Sequence, residues 1–245
     1  ASHVDLKTGR PQENASADYS NGPRLIAPAA FGAHNWNPMA YSPRTGLVYI
    51  PAVDSAMILW APPQDPKHRP GLFAPRAIPF FLEQIQNAPD SLPPPVRAFV
   101  KAAKFPPSTF EQGAYLRAWD PVAGKVVWQS SKRGWWDHAG VLATGGGLVF
   151  QGSSDGVLRA YDDRTGALLQ EIDTGSSILA APMTYAIAGV QYVSVMAAWG
   201  GGGWNMPHEG DAHLKHGNMG RILTFRLDGG ATPKPPLKPA LGPDP

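Results

Sequence analysis

Cysteine is absent from this chain of 245 residues, and its absence excludes several kinds of site. Without a thiol there is no disulfide, no thiolate metal site and no Cys-x-x-Cys-His haem attachment within these residues. Long apolar runs are also missing, so the sequence predicts no transmembrane segment. The opening ASHVDLKTGRP lacks the charged and apolar regions of a signal peptide, which predicts a start inside a folded pattern or after a cleavage.

Charge is scarce as well. Charged residues make up 16% of the chain, the net charge is +2, and no basic stripe is present that would neutralise a run of phosphates. Nucleic acid is therefore not expected as a partner. Glycine and proline are abundant, at 27 each, which favours tight turns between short strands. The composition is typical of an all-β protein.

A hairpin pattern recurs four times along the chain. Each copy has an extended segment, an Asp or Ser, a Thr-Gly or Ala-Gly, and a second extended segment. The glycine stands where the turn needs positive φ, and the Asp or Ser can bind the turn backbone. Such repeats favour a β-propeller, although a β-sandwich would alternate in the same way. The copies are VDLKTGRP (Gly9), AYSPRTGLVYI (Gly46), AWDPVAGKVVW (Gly124) and AYDDRTGALLQ (Gly166).

Two stretches depart from this pattern. A Pro-rich insertion at about 61–113 contains an expected helix at Val96–Lys104, and both a functional lid and a passive rim loop stay open for it. The last residues, 229–245, read GGATPKPPLKPALGPDP and predict an extended linker or tail. We therefore expect a partial propeller over 1–228, followed by this tail.

Several ordered motifs resemble one known family. They are FGAHNWNPMAYSPRTGLVYIPA (Phe31–Ala52), LRAWDPVAGKVVW, LATGGGLVFQGSSDGVLRAYDDRTG, LAAPMTYAIAGVQYVSVMAAWGG and GRILTF. Together they are similar to the quinoprotein alcohol dehydrogenases, which oxidise alcohols with pyrroloquinoline quinone (PQQ). The Pro-rich tail resembles the linker of the quinohaemoprotein subgroup. The resemblance implies an all-β fold: the C-terminal blades of an eight-bladed β-propeller, with the missing N-terminal propeller half as a partner.

The resemblance implies PQQ-binding residues in two segments. Asn35 and Trp36 match the family's cofactor-contacting Asn-Trp, and an amide and an indole suit a planar dione. Trp199, Gly200, Gly201 and Gly202 match its Trp-Gly-Gly segment, with Trp204 as a second indole for the channel wall. The alternatives are that Asn35 caps a turn, that Trp36 belongs to the core and that the glycines form a flexible loop.

Other polar residues invite a chemical interpretation. Asp137 and His138 suggest acid–base chemistry, but we interpret the pair as a solvated turn. A second group, at His208, Glu209, Asp211, His213 and His216, has no standard metal-ligand spacing, and we assign no metal ligand.

The resemblance also assigns Trp128 a structural role. In the family, an Asp such as Asp120 fixes a turn and a Trp such as Trp128 packs between neighbouring blades. The fourth repeat has Gln170 at the tryptophan position, so that repeat should be held less firmly.

The resemblance further implies chemistry that this chain does not carry alone. The family's calcium ligands and Asp base lie in earlier blades, so we assign no catalytic residue here. We expect calcium bound outside this chain, a small alcohol as substrate, cytochrome c or a similar electron acceptor, and a periplasmic location. A haem c domain beyond Pro245 stays open. The alternatives are a non-catalytic protein-binding scaffold and a dehydrogenase of sugars, polyols or polymer alcohols.

Overall fold

The computed structural model describes residues 3–12, 14, 18–62, 77–134, 137–200 and 209–239. Within these ranges the chain is built mainly of short antiparallel strands, with three α-helices. The strands are β1 Val4–Asp5, β2 Arg10–Pro11, β3 Arg24–Ile26, β4 Ala40–Ser42, β5 Leu47–Asp54, β6 Met57–Trp60, β7 Ile78–Phe81, β8 Gly113–Asp120, β9 Lys125–Gln129, β10 Val141–Ala143, β11 Leu148–Gln151, β12 Val157–Asp162, β13 Leu168–Asp173, β14 Met183–Ile187, β15 Val190–Ala197 and β16 Arg221–Phe225. The helices are α1 Leu82–Asn87, α2 Pro94–Ala103 and α3 Ala212–His216.

The chain divides into two compact units, and the first comprises residues 1–33 and 54–112. It contains the hairpin of β1 and β2 and a three-stranded sheet in the order β3-β6-β7. Its core lies where this sheet meets α1 and α2, through Ile58, Leu82 and Val96. Helix α2 lies where the spacing of apolar residues predicts a helix, beginning two residues earlier and ending one residue sooner.

The second unit comprises residues 34–53 and 113–245 and holds three antiparallel sheets. Their strand orders are β4-β5-β8-β9, β10-β11-β12-β13 and β14-β15-β16. The first and second sheets share a core around Tyr49, Trp128 and Tyr161. The second and third share a core around Leu158 and Val195. Successive sheets that pack face to face in this way have the arrangement of propeller blades.

One face of the third sheet packs against the second sheet. Val193, Val195 and Leu223 point towards the second sheet, and the pairing register puts the alternate residues on the opposite side. We call that side the outer face. Six of its large apolar side chains are between 38 and 72% exposed: Met183, Tyr185, Ile187, Val190, Met196 and Ile222.

The four repeated motifs are hairpin turns, as the sequence predicts. They join β1 to β2, β4 to β5, β8 to β9 and β12 to β13, and each turn glycine has positive φ. In the third repeat, Asp120 Oδ1 accepts the backbone N–H groups of Val122 and Ala123 at 2.9 Å each. In the fourth, Asp162 binds its own turn in the same way.

Trp128 packs between the first and second sheets of the second unit. Its indole N–H donates to the backbone oxygen of Asp163 at 3.1 Å, and its ring lies 6.4 Å from that of Tyr161. Gln170, at the matching position of the next repeat, is exposed and donates to the backbone of its neighbour Glu171 at 3.2 Å. These contacts agree with firm docking of the third repeat and weaker docking of the fourth.

The described part of the Pro-rich tail, residues 229–239, contains neither helix nor strand and lies along the second unit. The backbone N–H of Lys238 donates to Lys215 O at 2.8 Å, and His216 Nδ1 lies 2.9 Å from Pro235 O. The division at residue 228 and the linker role of the tail stay predictions. No helix in the described ranges is long and apolar enough to span a bilayer.

Candidate functional site

The loop that carries Asn35 and Trp36 precedes β4 in the second unit. Asn35 Oδ1 accepts the backbone N–H of Trp36 at 2.8 Å, so this side chain binds the backbone of its own loop. The indole of Trp36 is 57% exposed, so Trp36 is not a core residue. The next residue, Asn37, is buried, and its Oδ1 has no hydrogen-bond partner among the described residues. The loop therefore presents a flat apolar side chain to its surroundings.

Backbone contacts fix both ends of this loop. His34 Nδ1 lies 2.8 Å from the backbone oxygen of Pro51 in β5, and Pro38 O accepts the N–H of Val141 in β10 at 2.9 Å. Gly140 lies in close contact with Pro38, because a Cβ there would stand 2.9 Å from Pro38 Cδ and 2.7 Å from Ala181 Cβ. Glycine is required at this position to let three segments meet.

Backbone contacts also connect Gly140 to the segment that precedes Trp199. Gly140 N–H donates to Leu179 O at 3.3 Å, and the adjacent Ile178 forms a parallel bridge with Ala198. Ala198 directly precedes Trp199. The two predicted cofactor segments are thus joined by a continuous run of backbone contacts within one unit, although they are more than 160 residues apart in the sequence.

The backbone of Trp199 is held by a single side chain. Asn218 Oδ1 accepts the N–H of Trp199 at 2.6 Å, and Asn218 Nδ2 donates to Trp199 O at 2.9 Å. An amide can satisfy both groups because it carries an acceptor and a donor. This pair of bonds fixes the peptide from which the indole projects.

The indole of Trp199 stacks on the imidazole of His213 in α3. The ring centroids lie 4.1 Å apart at an interplanar angle of 29°, and both side chains are half-buried. Burial lowers the pKa of His213, the carboxylate of Asp211 acts in the opposite direction, and Lys238 lowers it further. The imidazole is therefore mainly neutral near pH 7.

Helix α3 is fixed by the backbone of Ser154, which lies between β11 and β12. Ser154 O accepts the N–H of Ala212 at 2.9 Å and the hydroxyl of Ser177 at 2.7 Å. Ser177 Oγ in turn accepts the backbone N–H of His213 at 3.3 Å and lies 3.4 Å from its Nδ1. Because the single hydroxyl proton is donated to Ser154 O, the contact with Nδ1 requires a proton on that nitrogen.

Asp137 is buried, and the expectation of a solvated turn is wrong for this residue. Its Oδ1 accepts the backbone N–H of Ser154 at 2.9 Å, and Arg133 Nε lies 3.7 Å from its Oδ2. Burial raises the pKa of the Asp137 carboxyl to about 6, against the opposing effects of Arg133 and the Ser154 bond. The hydrogen bond and the nearby guanidinium offset part of the cost of burying the charged carboxylate. The sequence pattern does not reveal either contact.

These residues fit a flat, apolar ring with hydrogen-bonding edges. Trp36 and Trp199 offer indole surfaces, and Asn35 offers an amide beside one of them. Within the described ranges, no group of three or more His, Cys, Asp or Glu could hold a metal ion. Gly201, Gly202, Trp204 and His208 lie outside the described residues.

Two residues that hold Trp199 are not assigned to the site by the sequence. Asn218 stands in no recognisable motif, and the sequence presents His213 only as a member of a possible metal cluster. Both residues contact Trp199 because the chain folds back towards it through α3. His213 and Asn218 follow Trp199 by 14 and 19 residues in the sequence. The alternation of polar and apolar residues does not predict which distant segments of the chain come into contact.

Comparison with known proteins identifies relatives of the chain. Residues 9–193 match the family described as "PQQ: Glucose/ethanol/alcohol dehydrogenase, beta-propeller domain". The chain is 38% identical over 241 residues to the quinohemoprotein alcohol dehydrogenase ADH IIB of Pseudomonas putida, a match that covers 96% of this chain and 31% of that protein. It is 39% identical over 199 residues to the quinohemoprotein alcohol dehydrogenase of Comamonas testosteroni, covering 80% of this chain and 25% of that protein.

Solved structures give the same picture. The quinohemoprotein alcohol dehydrogenase ADHIIG from Pseudomonas putida HK5 matches with a TM-score of 0.72 and 32% identity, covering 99% of this chain and 33% of that one. These findings confirm the predicted all-β propeller and the resemblance to quinoprotein alcohol dehydrogenases. The chain spans about a third of the length of these relatives.

Proposed function

This chain belongs to the β-propeller family of glucose, ethanol and alcohol dehydrogenases, and from that premise we propose that it forms part of a PQQ-dependent alcohol dehydrogenase. PQQ, when bound, supplies the acceptor for the hydride that leaves the alcohol carbon. The share of this chain is to bind and orient the cofactor. Its binding residues are Asn35, Trp36, Trp199, Gly200, Gly201 and Gly202.

The observation that carries this proposal is the way Trp199 is held. Its peptide is bound on both sides by Asn218, and its ring is stacked on His213, yet the residue is only half-buried. A tryptophan fixed this firmly while part of its surface stays accessible is suited to contact a flat ligand. The resemblance of Trp199–Gly202 to the family's Trp-Gly-Gly segment supports the same role.

Asn35 and Trp36 supply the second contact. Asn35 Oδ1 accepts the backbone N–H of Trp36, and the indole of Trp36 stays exposed. In the assembled protein this indole would cover one side of the cofactor ring, and the amide of Asn35 would bind a polar edge. Burial by the cofactor would also explain why so large an apolar side chain is left exposed.

We propose that the catalytic base and the calcium ligands lie in the rest of the protein. The chain spans about a third of its relatives, and its described residues contain no cluster suited to a metal ion. The outer face of the third sheet supports such a partner, because an apolar sheet surface of this extent is usually covered. A neighbouring blade from the missing propeller half is the partner that fits it.

We further propose a periplasmic location and electron transfer to cytochrome c or a similar acceptor. The relatives in Pseudomonas putida and Comamonas testosteroni are named quinohemoproteins. A haem c bound in this way would need cysteines beyond these residues, because this chain has none. The substrate would be a small primary or secondary alcohol, with sugars and polyols as the alternative.

The proposal is tested by reconstitution of the complete gene product with PQQ and Ca²⁺. PQQ binding is measured by quenching of tryptophan emission, and activity by dye reduction with ethanol, 2-propanol, glucose and glycerol. We expect saturable PQQ binding and dye reduction with at least one short alcohol. Trp199→Ala should weaken PQQ binding, because the indole supplies a flat contact surface.

A control variant separates binding from folding. Trp60→Phe changes an indole of the first unit that packs near the core there and belongs to no proposed binding segment. It should leave the PQQ affinity unchanged. A folded protein that neither binds PQQ nor reduces dye with any of the four substrates would remove the enzyme assignment and favour the scaffold alternative.

A further inference from the structure

The contact between Trp199 and His213 points to a role for the histidine that the family resemblance does not supply. We propose that His213 is a positioning residue, which holds the indole of Trp199 in the orientation that the cofactor requires. This inference rests on the proposed function, since it takes Trp199 to face PQQ. His213 itself need not touch the cofactor.

The stack leaves the indole little freedom to turn. A centroid distance of 4.1 Å and an angle of 29° put the imidazole against one side of the indole. A ligand that contacts Trp199 must then approach another side, because His213 already occupies this one. With the peptide fixed by Asn218, the stack restricts the torsions that would let the indole rotate.

His213 is itself held in place. Ser177 Oγ, which is buried, accepts the backbone N–H of His213 and lies 3.4 Å from its Nδ1. The Ser177 hydroxyl is fixed by its bond to Ser154 O, and the same oxygen binds the start of α3 through Ala212. The imidazole is therefore supported through its backbone and through one ring nitrogen.

Two charged groups act on the imidazole ring: Asp211, which precedes α3, and Lys238 of the tail. The net direction is a lowered pKa, with burial as the main cause, so the stacked ring is mainly neutral near pH 7. A proton added at lower pH would place an imidazolium against the indole, and a stacked imidazolium quenches indole fluorescence.

Two other roles for His213 are weaker. A metal ligand would need partners, but the described residues contain no group of three metal-binding side chains. A purely structural role in α3 would not require a ring against Trp199, since the helix is already fixed by Ala212 and Ser177. Neither role explains why the imidazole stacks on the indole of Trp199.

The experiment compares His213→Ala, which removes the ring, with His213→Phe, which keeps an aromatic ring but cannot be protonated. The matched control is His216→Ala, a histidine of the same helix that lies against Pro235 O of the tail. Each variant is prepared in the complete gene product. Two quantities are measured: the pH dependence of tryptophan emission without cofactor, and the Kd for PQQ from quenching at pH 7.

We expect emission of the wild type to fall below pH 6.5, the ordinary pKa of histidine. Trp199→Phe, His213→Ala and His213→Phe should each lose this transition, and His216→Ala should keep it. The Kd for PQQ should rise about tenfold in His213→Ala, the upper end of what an aromatic pair contributes. His213→Phe should stay within about twofold of the wild type, because the stacked ring is retained.

The outcomes separate this inference from the proposed function. If His213→Ala binds PQQ as tightly as His216→Ala, the positioning role is wrong while the cofactor assignment stands. If the emission transition is present but the wild type does not bind PQQ, the stack exists and the proposed function fails, and the positioning role fails with it. If His213→Ala does not fold, a tenfold loss of affinity in folded His213→Phe would overturn the role.

Discussion

The region around Trp128 and the region around Trp199 hold a tryptophan in opposite ways. Trp128 is only 8% exposed, its indole N–H is bonded to Asp163 O, and Tyr49 and Tyr161 lie against its ring at 5.7 and 6.4 Å. Trp199 is half-buried, its ring stacks on His213 as its one aromatic partner among the described residues, and its peptide is bound by Asn218.

The difference separates a packing role from a binding role. An indole whose faces and N–H are all used stabilises the contact between two sheets and has nothing left for a ligand. An indole that stacks on one partner among the described residues keeps surface available, and its orientation is held by its backbone bonds together with that stack. We therefore expect changes at Trp128 to affect stability and changes at Trp199 to affect cofactor binding.

The largest effect on stability should come from Trp128→Ala. Loss of the ring leaves a cavity between two sheets and removes one of two hydrogen bonds that Asp163 O accepts, the other coming from the Tyr49 hydroxyl. The free energy of unfolding should fall by about 3–5 kcal/mol, mainly through the cavity. Urea unfolding followed by circular dichroism measures the loss. Trp128→Phe should recover part of it, and a loss below about 1 kcal/mol for the alanine variant would contradict the packing role.

The next effect should come from Gly166→Ala, because Trp128 lies directly on this turn. A Cβ at Gly166 would stand 2.5 Å from the Trp128 ring, in a residue whose φ is +72°. We expect a loss of about 2–4 kcal/mol, from overpacking and from positive φ together, in the same urea titration.

The matched control for this variant is Gly46→Ala. Gly46 has the same φ of +72°, but a Cβ added there would meet nothing within 4 Å. It should lose only about 1–2 kcal/mol, the cost of the left-handed backbone alone. Equal losses for the two variants would show that Trp128 does not press on Gly166.

Asp137→Asn should change the pH dependence of stability by a comparable amount, over a limited range of pH. The folded pKa of about 6 lies above the ordinary value near 3.9, so the folded state binds the proton more tightly and stability falls as pH rises between these values. The wild type should lose about 2–3 kcal/mol from this group between pH 4 and 7. The asparagine variant, which keeps an oxygen for Ser154 N–H, should lack that loss.

Urea unfolding of both proteins at pH 4.5, 5.5 and 7.0 measures this difference. The comparison with asparagine cancels the contribution of other titrating groups, provided that they keep their surroundings. An identical dependence on pH in both proteins would mean that Asp137 is charged throughout the range, against the effect of its burial.

The smallest effect on stability should come from Trp199→Ala. Its ring packs on His213 alone among the described aromatic residues, so the free energy of unfolding should fall by less than about 1.5 kcal/mol. The same variant should raise the Kd for PQQ by about tenfold or more. A large loss of stability with unchanged affinity would remove the contrast with Trp128.

The features that depend on local chemistry could be predicted from the sequence. The turns at Gly46, Gly124 and Gly166 follow from the residues within each turn, and the structure has positive φ at all three. The docking of Trp128 follows from the family resemblance. The exposure of Trp36 could not be read from the sequence, because the core and binding interpretations use the same residue type.

The supports of Trp199 could not be predicted, for a physical reason. Asn218 and His213 act through contacts that form only when α3 packs against the loop at Ser154. The burial of Asp137 could not be predicted either, because it is compensated by a backbone N–H from a distant loop, and a backbone group leaves no mark in the sequence.

The main chain of Ser154 serves several parts of the molecule at once. Its N–H binds Asp137, and its carbonyl oxygen binds both Ser177 and Ala212, so three segments depend on the main chain of one residue. Any amino acid with an amide hydrogen offers the same two groups, and related proteins are free to vary the side chain here without disturbing the support of Trp199. Only proline removes the donor, so position 154 would look unimportant in an alignment until a proline is placed there.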